Sequence, residues 1–318
     1  MKRDKQNLTD SQSLRLRAAW LYHVQGLRQV SIAERLGISR AMVIRILDEA
    51  KQRNEVRVWV DDDVSECLDL SLRLEEVFGI ETAMVVPFDD PDQDPTKAVG
   101  ARLGRYLSET LSDGMVVGVG WGRTLIASIE ALEPSRLSDA KVISLMGGII
   151  NPGRRNPIEF SWRLAGLMSA ECYLYLAPVI VDKPETKQNL LQACGLNQIE
   201  NLASQMDMAV VSCGDIGHNS TSLAGQIINE PEFSEMVSAG AVCDVMCNFI
   251  DRDGRSIIHP IQERTMSVDL DVVASARNVV LATGGSHRAA ALLAAIRRLS
   301  PNTLITDELA AREILSLV

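Results

Sequence analysis

The chain has 318 residues, 46% hydrophobic and 23% charged, with a formal net charge of −10. That length allows a large core and more than one domain, and the composition is ordinary for a soluble protein. No apolar run approaches the roughly 20 residues that span a bilayer, and "MKRDKQNLTD" has no apolar stretch after its basic start, so neither a membrane span nor a secretion signal is expected and the cytoplasm is the expected location.

Charge is unevenly spread. Residues 1–57 hold 12 Lys and Arg against 6 Asp and Glu, a balance of +6, while the remainder holds 20 against 36, a balance of −16. A basic head can approach phosphates while an acidic body keeps off them. Within the head, "SLRLRAAWLYHVQGL" predicts a first helix with an apolar stripe through Leu16, Ala19, Trp20 and His23 or Val24. Ser31-Ile32-Ala33-Glu34 reads as a capping box opening a second helix with Ile32, Ala33 and Leu36 on its inner face. Gly37 breaks that helix, Ile38 is an apolar turn residue, and Ser39 can cap a third helix with Val43, Ile46, Leu47 and Ala50 inside. Three short helices with a glycine turn before the last make a helix-turn-helix unit. The start of the last helix then presents Ser39, Arg40 and Ala41, with Arg45 one turn on, to the major groove of DNA, and the cap at Ser31 faces phosphates. A helical hairpin with a solvated basic face explains each feature singly; spacing, turn glycine, buried turn residue and local charge together favour DNA binding.

After the head, "VRVWV" reads as a short strand and "DDDVSE" as an acidic junction and helix start. That helix carries Val64, Leu68, Leu72 (or Ser71) and residues 75–78 on an apolar face that packs in the body or against another subunit. Domain boundaries at residues 1–60 and 61–318 follow, with "FDDPDQDP" a plausible internal hinge. The body alternates strand-like segments ("TAMVV", "MVVGVG", "KVISLM", "CYLYLA", "MAVVS", "VCDVMCNFI", "NVVLAT") with helical ones over residues 96–112, 158–169 and 286–298. This predicts an α/β fold, a mainly parallel, doubly wound sheet with helices on both faces and ligands at the carboxyl ends of its strands.

The loops there are informative. In "GVGWGRT", Gly118, Gly120 and Gly122 lead to Arg123 and Thr124 at a helix start; a tight turn and an anion cradle explain it equally well. The next strand ends "SLMGG" without a carboxylate, which argues against NAD. Gly147-Gly148 and Gly284-Gly285 also end strands. Arg288 follows the second pair at a helix start, where a cation opposes the dipole unless an anion is present, so "TGGSHR" is a phosphate candidate. Asp244 interrupts an apolar strand and is either an inward carboxylate for sugar hydroxyls or a strand-end charge; "CGDIGHNS" is either a ligand loop or an ordinary connection. His23 reads as packed beside Trp20, and His218 and His259 as loop residues. Six scattered cysteines form no disulfide framework, and Cys243 and Cys247, about 13 Å apart on one strand, are too far apart for one metal. No metal or cofactor is expected.

The segments "LRAAWLYHVQGL", "SIAERLGISRAMVIRILDEA", "GVGWGRTL", "LMGG", "GAVCDVMCNFIDRDGR" and "ATGGSHRAAALLAAIR" together resemble the SorC family of sugar-responsive bacterial transcription regulators across almost the whole chain. The resemblance implies a helix-turn-helix head and an effector domain similar to sugar-phosphate isomerases and deaminases but without chemistry. It also implies operator DNA as partner, a phosphorylated sugar or polyol as effector, and a homo-tetramer. The effector positions it implies are Gly120, Gly122, Thr124, Gly147, Gly148, Asp244, Gly285 and Arg288. Departures are Arg288 where many members have lysine, Met146 where some phosphosugar binders have arginine, and Cys243 where glycine is usual. The loops "GVGWGRT" and "TGGSHR" predict an effector phosphate held between them. The rival function is an isomerase or deaminase with an accessory head. It would need a general base, for which Asp244 is the one carboxylate nominated.

Overall fold

The computed structural model of the chain describes residues 11–23, 25–53, 55, 62–149, 156–217, 220, 222 and 227–318, and the chain divides into two units, Met1–Asp61 and Asp62–Val318. In the first unit α1 (Ser11–His23), α2 (Gln29–Leu36) and α3 (Arg40–Gln52) close around Ala18, Leu21, Ile32, Val43, Ile46 and Ala50. Gly37 ends α2 with φ 68°, a conformation costly for a residue with a Cβ, and its amide turns back to the carbonyls of Ala33 and Glu34. Ile38 packs partly buried against the core, and Ser39 Oγ accepts the Met42 amide at 3.1 Å, capping α3.

Three details of this unit differ from the sequence reading. Helix α2 begins at Gln29 with Arg28 as its cap, so Ser31 lies inside the first turn and the capping box is not used. Leu27 packs against the core just ahead of it, and the Arg28 carbonyl already accepts the Ile32 amide, so packing outweighs the cap preference. The inner face of α1 is Ala18, Ala19 and Leu21 with Arg15, whereas Leu16 and Trp20 stand 44% and 52% exposed. Arg15 sets that rotation: its guanidinium is buried and forks onto Glu55 at 2.9 and 2.7 Å, with Glu49 at 3.4 Å. His23 is exposed and meets Tyr22 edge-on at 4.9 Å. The strand expected from "VRVWV", together with Val24 and His218, lies outside the described residues.

The second unit opens with α4 (Asp62–Phe78), β1 (Thr82–Val86), α5 (Thr96–Thr110), β2 (Val116–Val119), α6 (Arg123–Ser128), β3 (Lys141–Ser144), α7 (Pro157–Met168) and β4 (Glu171–Tyr173). It continues through α8 (Pro184–Ala193), α9 (Asn197–Ala203), β5 (Met208–Val211), β6 (Gly214–Asp215), α10 (Glu230–Ser238), β7 (Cys243–Val245), β8 (Asn248–Ile250), α11 (Pro260–Arg264) and α12 (Leu270–Ala274). It closes with β9 (Asn278–Ala282), α13 (Ala289–Leu299), β10 (Thr303–Asp307) and α14 (Glu308–Ser316). Seven strands form one parallel sheet in the order β1-β10-β9-β5-β2-β3-β4, and β6-β7-β8 form a small antiparallel sheet.

Successive residues of the central strands feed opposite faces, as the pleat requires. Val142, Val210, Val280 and Ile305 pack under α5, α6 and α7 with Leu103, Leu125 and Leu164. Their neighbours Ile143, Val211, Leu281 and Leu304 pack under α4, α9, α12, α13 and α14 with Leu74, Ile199 and Leu292. This is the doubly wound α/β fold. Strand β10, in "NTLITD", is an addition to the strands read from the sequence. "VCDVMCNFI" is a hairpin and not one strand: Met246 and Cys247 take φ 53° and 60° at its tip, so Cys243 and Cys247 do not share a strand face. The buried face of α4 is Cys67, Leu70, Ser71 and Leu74, while Leu68 and Leu72 are exposed. The helix expected over residues 286–298 starts as a 3-10 turn, Ser286–Arg288, before α13. "FDDPDQDP" joins β1 to α5 within the second unit. Among the described residues no helix is long and apolar enough to cross a membrane.

Candidate functional site

Strand β2 leads through α6 to β3 on one side, while its other neighbour β5 adjoins β9. A crevice opens at such a reversal, beyond the carboxyl ends of the strands. The pocket there is lined by Gly122 and Thr124 after β2, Ser212 and Asp215 after β5, Arg288 after β9, and Asp244 from β7. Four residues expected from the sequence, Gly122, Thr124, Asp244 and Arg288, therefore meet although they are far apart in the chain.

The other four, Gly120, Gly147, Gly148 and Gly285, do not line it. The Gly120 amide donates to the Val210 carbonyl at 2.9 Å. Those of Gly147 and Gly148 donate to Met266 and Ala177, each at 2.8 Å, and a Cβ at Gly147 would stand 2.5 Å from the Ala177 carbonyl oxygen. These two glycines permit a close backbone approach. Gly285, at φ 103°, gives its amide to Asp307 Oδ2 at 2.6 Å.

Arg288 is 8% exposed. Its Nε lies 3.3 Å from Asp215 Oδ1, and its Nη1 donates to the Gly284 carbonyl at 2.7 Å. The anion anticipated beside this cation is thus supplied by the chain itself. Arg123 is likewise paired, with Asp94 Oδ2 at 3.1 Å. Burial works to raise the Asp94 pKa, but hydrogen bonds from Thr96 and then the charges of Arg123 and Arg288 outweigh it and hold this carboxyl below the usual range. Asp244 accepts the Cys247 amide on Oδ1 at 2.7 Å and the Ser222 hydroxyl on Oδ2. Burial nonetheless pushes its pKa up to about 6, against both hydrogen bonds. Burial, reinforced by Asp244, also raises the Cys247 thiol, and burial with Cys213 raises that of Cys243, so neither is an activated nucleophile.

Asp215 was within sight, since it lies in "CGDIGHNS". Ser212 and Asp94 carried no local signal, because their place beside Gly122 and Arg123 follows from strand order alone.

In the first unit Ser31, Ser39, Arg40, Ala41 and Arg45 are all exposed, and Ile44 stands 38% exposed on the same helix. Arg40 Nε lies 3.5 Å from Gln29 Oε1, and Arg45 lies against Met42. The Ser39 hydroxyl is committed to its cap, and Arg28 and Arg35, not singled out from the sequence, are exposed cations on or beside α2.

Residues 62–316 match the family described as "Putative sugar-binding domain". The chain is 27% identical over 305 residues to the erythritol catabolism regulatory protein EryD of Brucella abortus, spanning 95% of this chain and 96% of that one. It is 29% identical over 312 residues to the deoxyribonucleoside regulator of Bacillus subtilis, spanning 96% and 98% respectively. The full-length sorbitol operon regulator SorC of Klebsiella pneumoniae aligns with a TM-score of 0.73 at 23% identity, covering 96% of this chain and 100% of that one, which is a likeness of fold.

Proposed function

The chain belongs to this sugar-binding domain family of SorC-type regulators, and on that premise we propose that it is a transcription regulator whose hold on operator DNA is set by a small carbohydrate effector, a phosphorylated sugar or a polyol. Residues 1–60 are assigned to DNA binding and 61–318 to effector binding and oligomerisation. The observation that carries the reading is the convergence of Thr124, Asp244 and Arg288 on one pocket at the sheet's reversal, which supplies hydroxyl, carboxylate and guanidinium groups to a polyhydroxylated ligand. On the head, Arg40, Ala41 and Arg45 are the proposed base-reading face, with Ser31 and Ser39 near the phosphates. Two relatives, an erythritol catabolism regulator and a deoxyribonucleoside regulator, support a carbohydrate-linked role.

One helix-turn-helix reads few base pairs, so useful selectivity calls for two heads on related half-sites, and a homo-oligomer, a tetramer, is proposed. Light scattering of full-length protein at micromolar concentration, with and without DNA, should give a species larger than the monomer. The function is tested by titrating polyols, sugars and their phosphates into the protein–operator complex while anisotropy is followed. An effector should change DNA affinity about 5- to 150-fold, the usual range of coupling between sites. Turnover of phosphopentoses or phosphohexoses, with no change in DNA affinity, would replace the regulator with an enzyme.

A further inference from the structure

The class of effector follows from how the pocket spends its own charges. A phosphate is held by unpaired cations and by backbone amides aimed at a common point. Here the two arginines and the amide of Gly285 already have acceptors from the chain. Arg288 is given to Asp215 and the Gly284 carbonyl, and Arg123 to Asp94. The amide of Gly285, the natural anion contact of the "TGGSHR" turn, is taken by Asp307, which is fully buried and caps α14 through the Ala310 amide. The amides of Gly120, Gly147 and Gly148 go to carbonyls.

Charge points the same way. Among the described residues, the pocket lining and the carboxylate paired with Arg123 hold two arginines against Asp94, Asp215 and Asp244, a formal balance of −1. A dianion that engages either arginine must share it with the carboxylate already paired there and sit among the remaining carboxylates. A hydroxyl meets the opposite situation. Each carboxylate oxygen has two lone pairs, so an oxygen that accepts one hydrogen bond keeps capacity, and Asp215 and Asp244 can each accept from ligand O–H donors. The buried hydroxyls of Thr124 and Ser212 line the same wall and can donate or accept.

Resting on the effector-pocket reading above, we propose that the ligand is an uncharged polyhydroxylated molecule, a polyol or free sugar, and not a phosphate ester. Asp215 and Asp244 accept hydrogen bonds from its hydroxyls, and Arg288 is held in place by Asp215 as a hydrogen-bond donor to its oxygens. Two of the groups expected to hold a phosphate, the Arg288 guanidinium and the Gly285 amide, are engaged by Asp215 and Asp307.

The test is calorimetric titration of the full-length protein with erythritol, ribitol, sorbitol, ribose and deoxyribose, with the monophosphates of the same compounds, and with inorganic phosphate. At least one neutral compound should bind wild type at least tenfold tighter than its own monophosphate. Asp215→Asn should weaken that neutral ligand at least tenfold and, by releasing Arg288, strengthen the monophosphate or inorganic phosphate at least tenfold. Asp94→Asn, which keeps the oxygen that caps Thr96, should strengthen phosphate in the same direction and serves where Asp215→Asn fails to fold. A monophosphate that binds wild type tighter than its neutral parent, with no gain in either variant, overturns the ligand class alone. If no compound of either class binds, or if Asp244→Asn and Arg288→Ala leave every affinity unchanged, the effector-pocket reading falls and this proposal with it.

Discussion

Replacing Asp244 by asparagine should make the second unit more stable above pH 6 and leave it little changed in acid. The carboxylate keeps two hydrogen bonds, from the Cys247 amide and the Ser222 hydroxyl, yet burial raises its pKa from the ordinary 3.8 to about 6. At about 1.4 kcal/mol per pH unit, a rise of about two units makes the native charged form about 3 kcal/mol costlier than the charged form in water. The native state therefore binds the proton more tightly than the unfolded chain. Stability tied to it is fully present below the unfolded value near 4 and is lost as pH rises through about 6. Asparagine retains the size and one acceptor oxygen and cannot ionise. The difference in unfolding free energy between Asp244→Asn and wild type should thus grow by about 2–3 kcal/mol between pH 4 and pH 7.5. Urea unfolding of both proteins across that range, followed by circular dichroism, isolates this one group, because all other titrations cancel in the difference. A difference curve flat with pH would refute the claim that burial dominates at this carboxylate.

Three further outcomes are expected. Arg40→Ala and Arg45→Ala should retain the fold, and at least one should weaken operator binding by about 1–3 kcal/mol and relax base preference, read by anisotropy on operator and random DNA; wild-type binding should fall steeply with salt. Gly147→Ala should cost the second unit about 1–3 kcal/mol in thermal or urea unfolding, because the new methyl meets the Ala177 carbonyl and no flexible side chain can give way. The first unit should loosen in acid: the hydrogen bond from Arg15 holds Glu55 below the ordinary 4.5, so the stability it contributes is present above that value and lost as pH falls through the lower native one. Hydrogen exchange of α1 amides should accelerate on acidification once the intrinsic rate is divided out, and Arg15→Leu should abolish the dependence.

Local chemistry announces itself in a sequence, and strand order does not. The turn at Gly37, the cap at Ser39 and the inner face of α3 were legible because each rests on residues a turn apart. The parallel sheet was legible as alternating periods, and Thr124, Asp244 and Arg288 as polar residues at strand ends. The rotation of α1 escapes apolar periodicity, because Arg15 is polar by type and only Glu55, forty residues away, lets it face inward. The hairpin at Met246-Cys247 looks like a strand in sequence because two non-glycine residues occupy its left-handed positions, where Asn-Gly would mark a turn. The pairing of Arg288 with Asp215 was out of reach, since it depends on β5 and β9 lying side by side.

The position of β10 governs when this protein can exist at all during its synthesis. Strand β1 sits at the sheet edge with β10 as its neighbour, and β10 stands between it and β9. The first unit, by contrast, has its core contacts complete by Ala50 and its arginine clamp by Glu55. At about 5–20 residues per second, the ribosome reaches β10 roughly 250 residues and about 12–50 s later. Throughout that interval the nascent chain carries a head able to fold beside strands that lack their partners, and its pocket is incomplete until Arg288 has been added. Every newly made copy thus passes through a stage in which the proposed DNA-reading head has all its core residues while the proposed effector-binding half still lacks strands of its sheet.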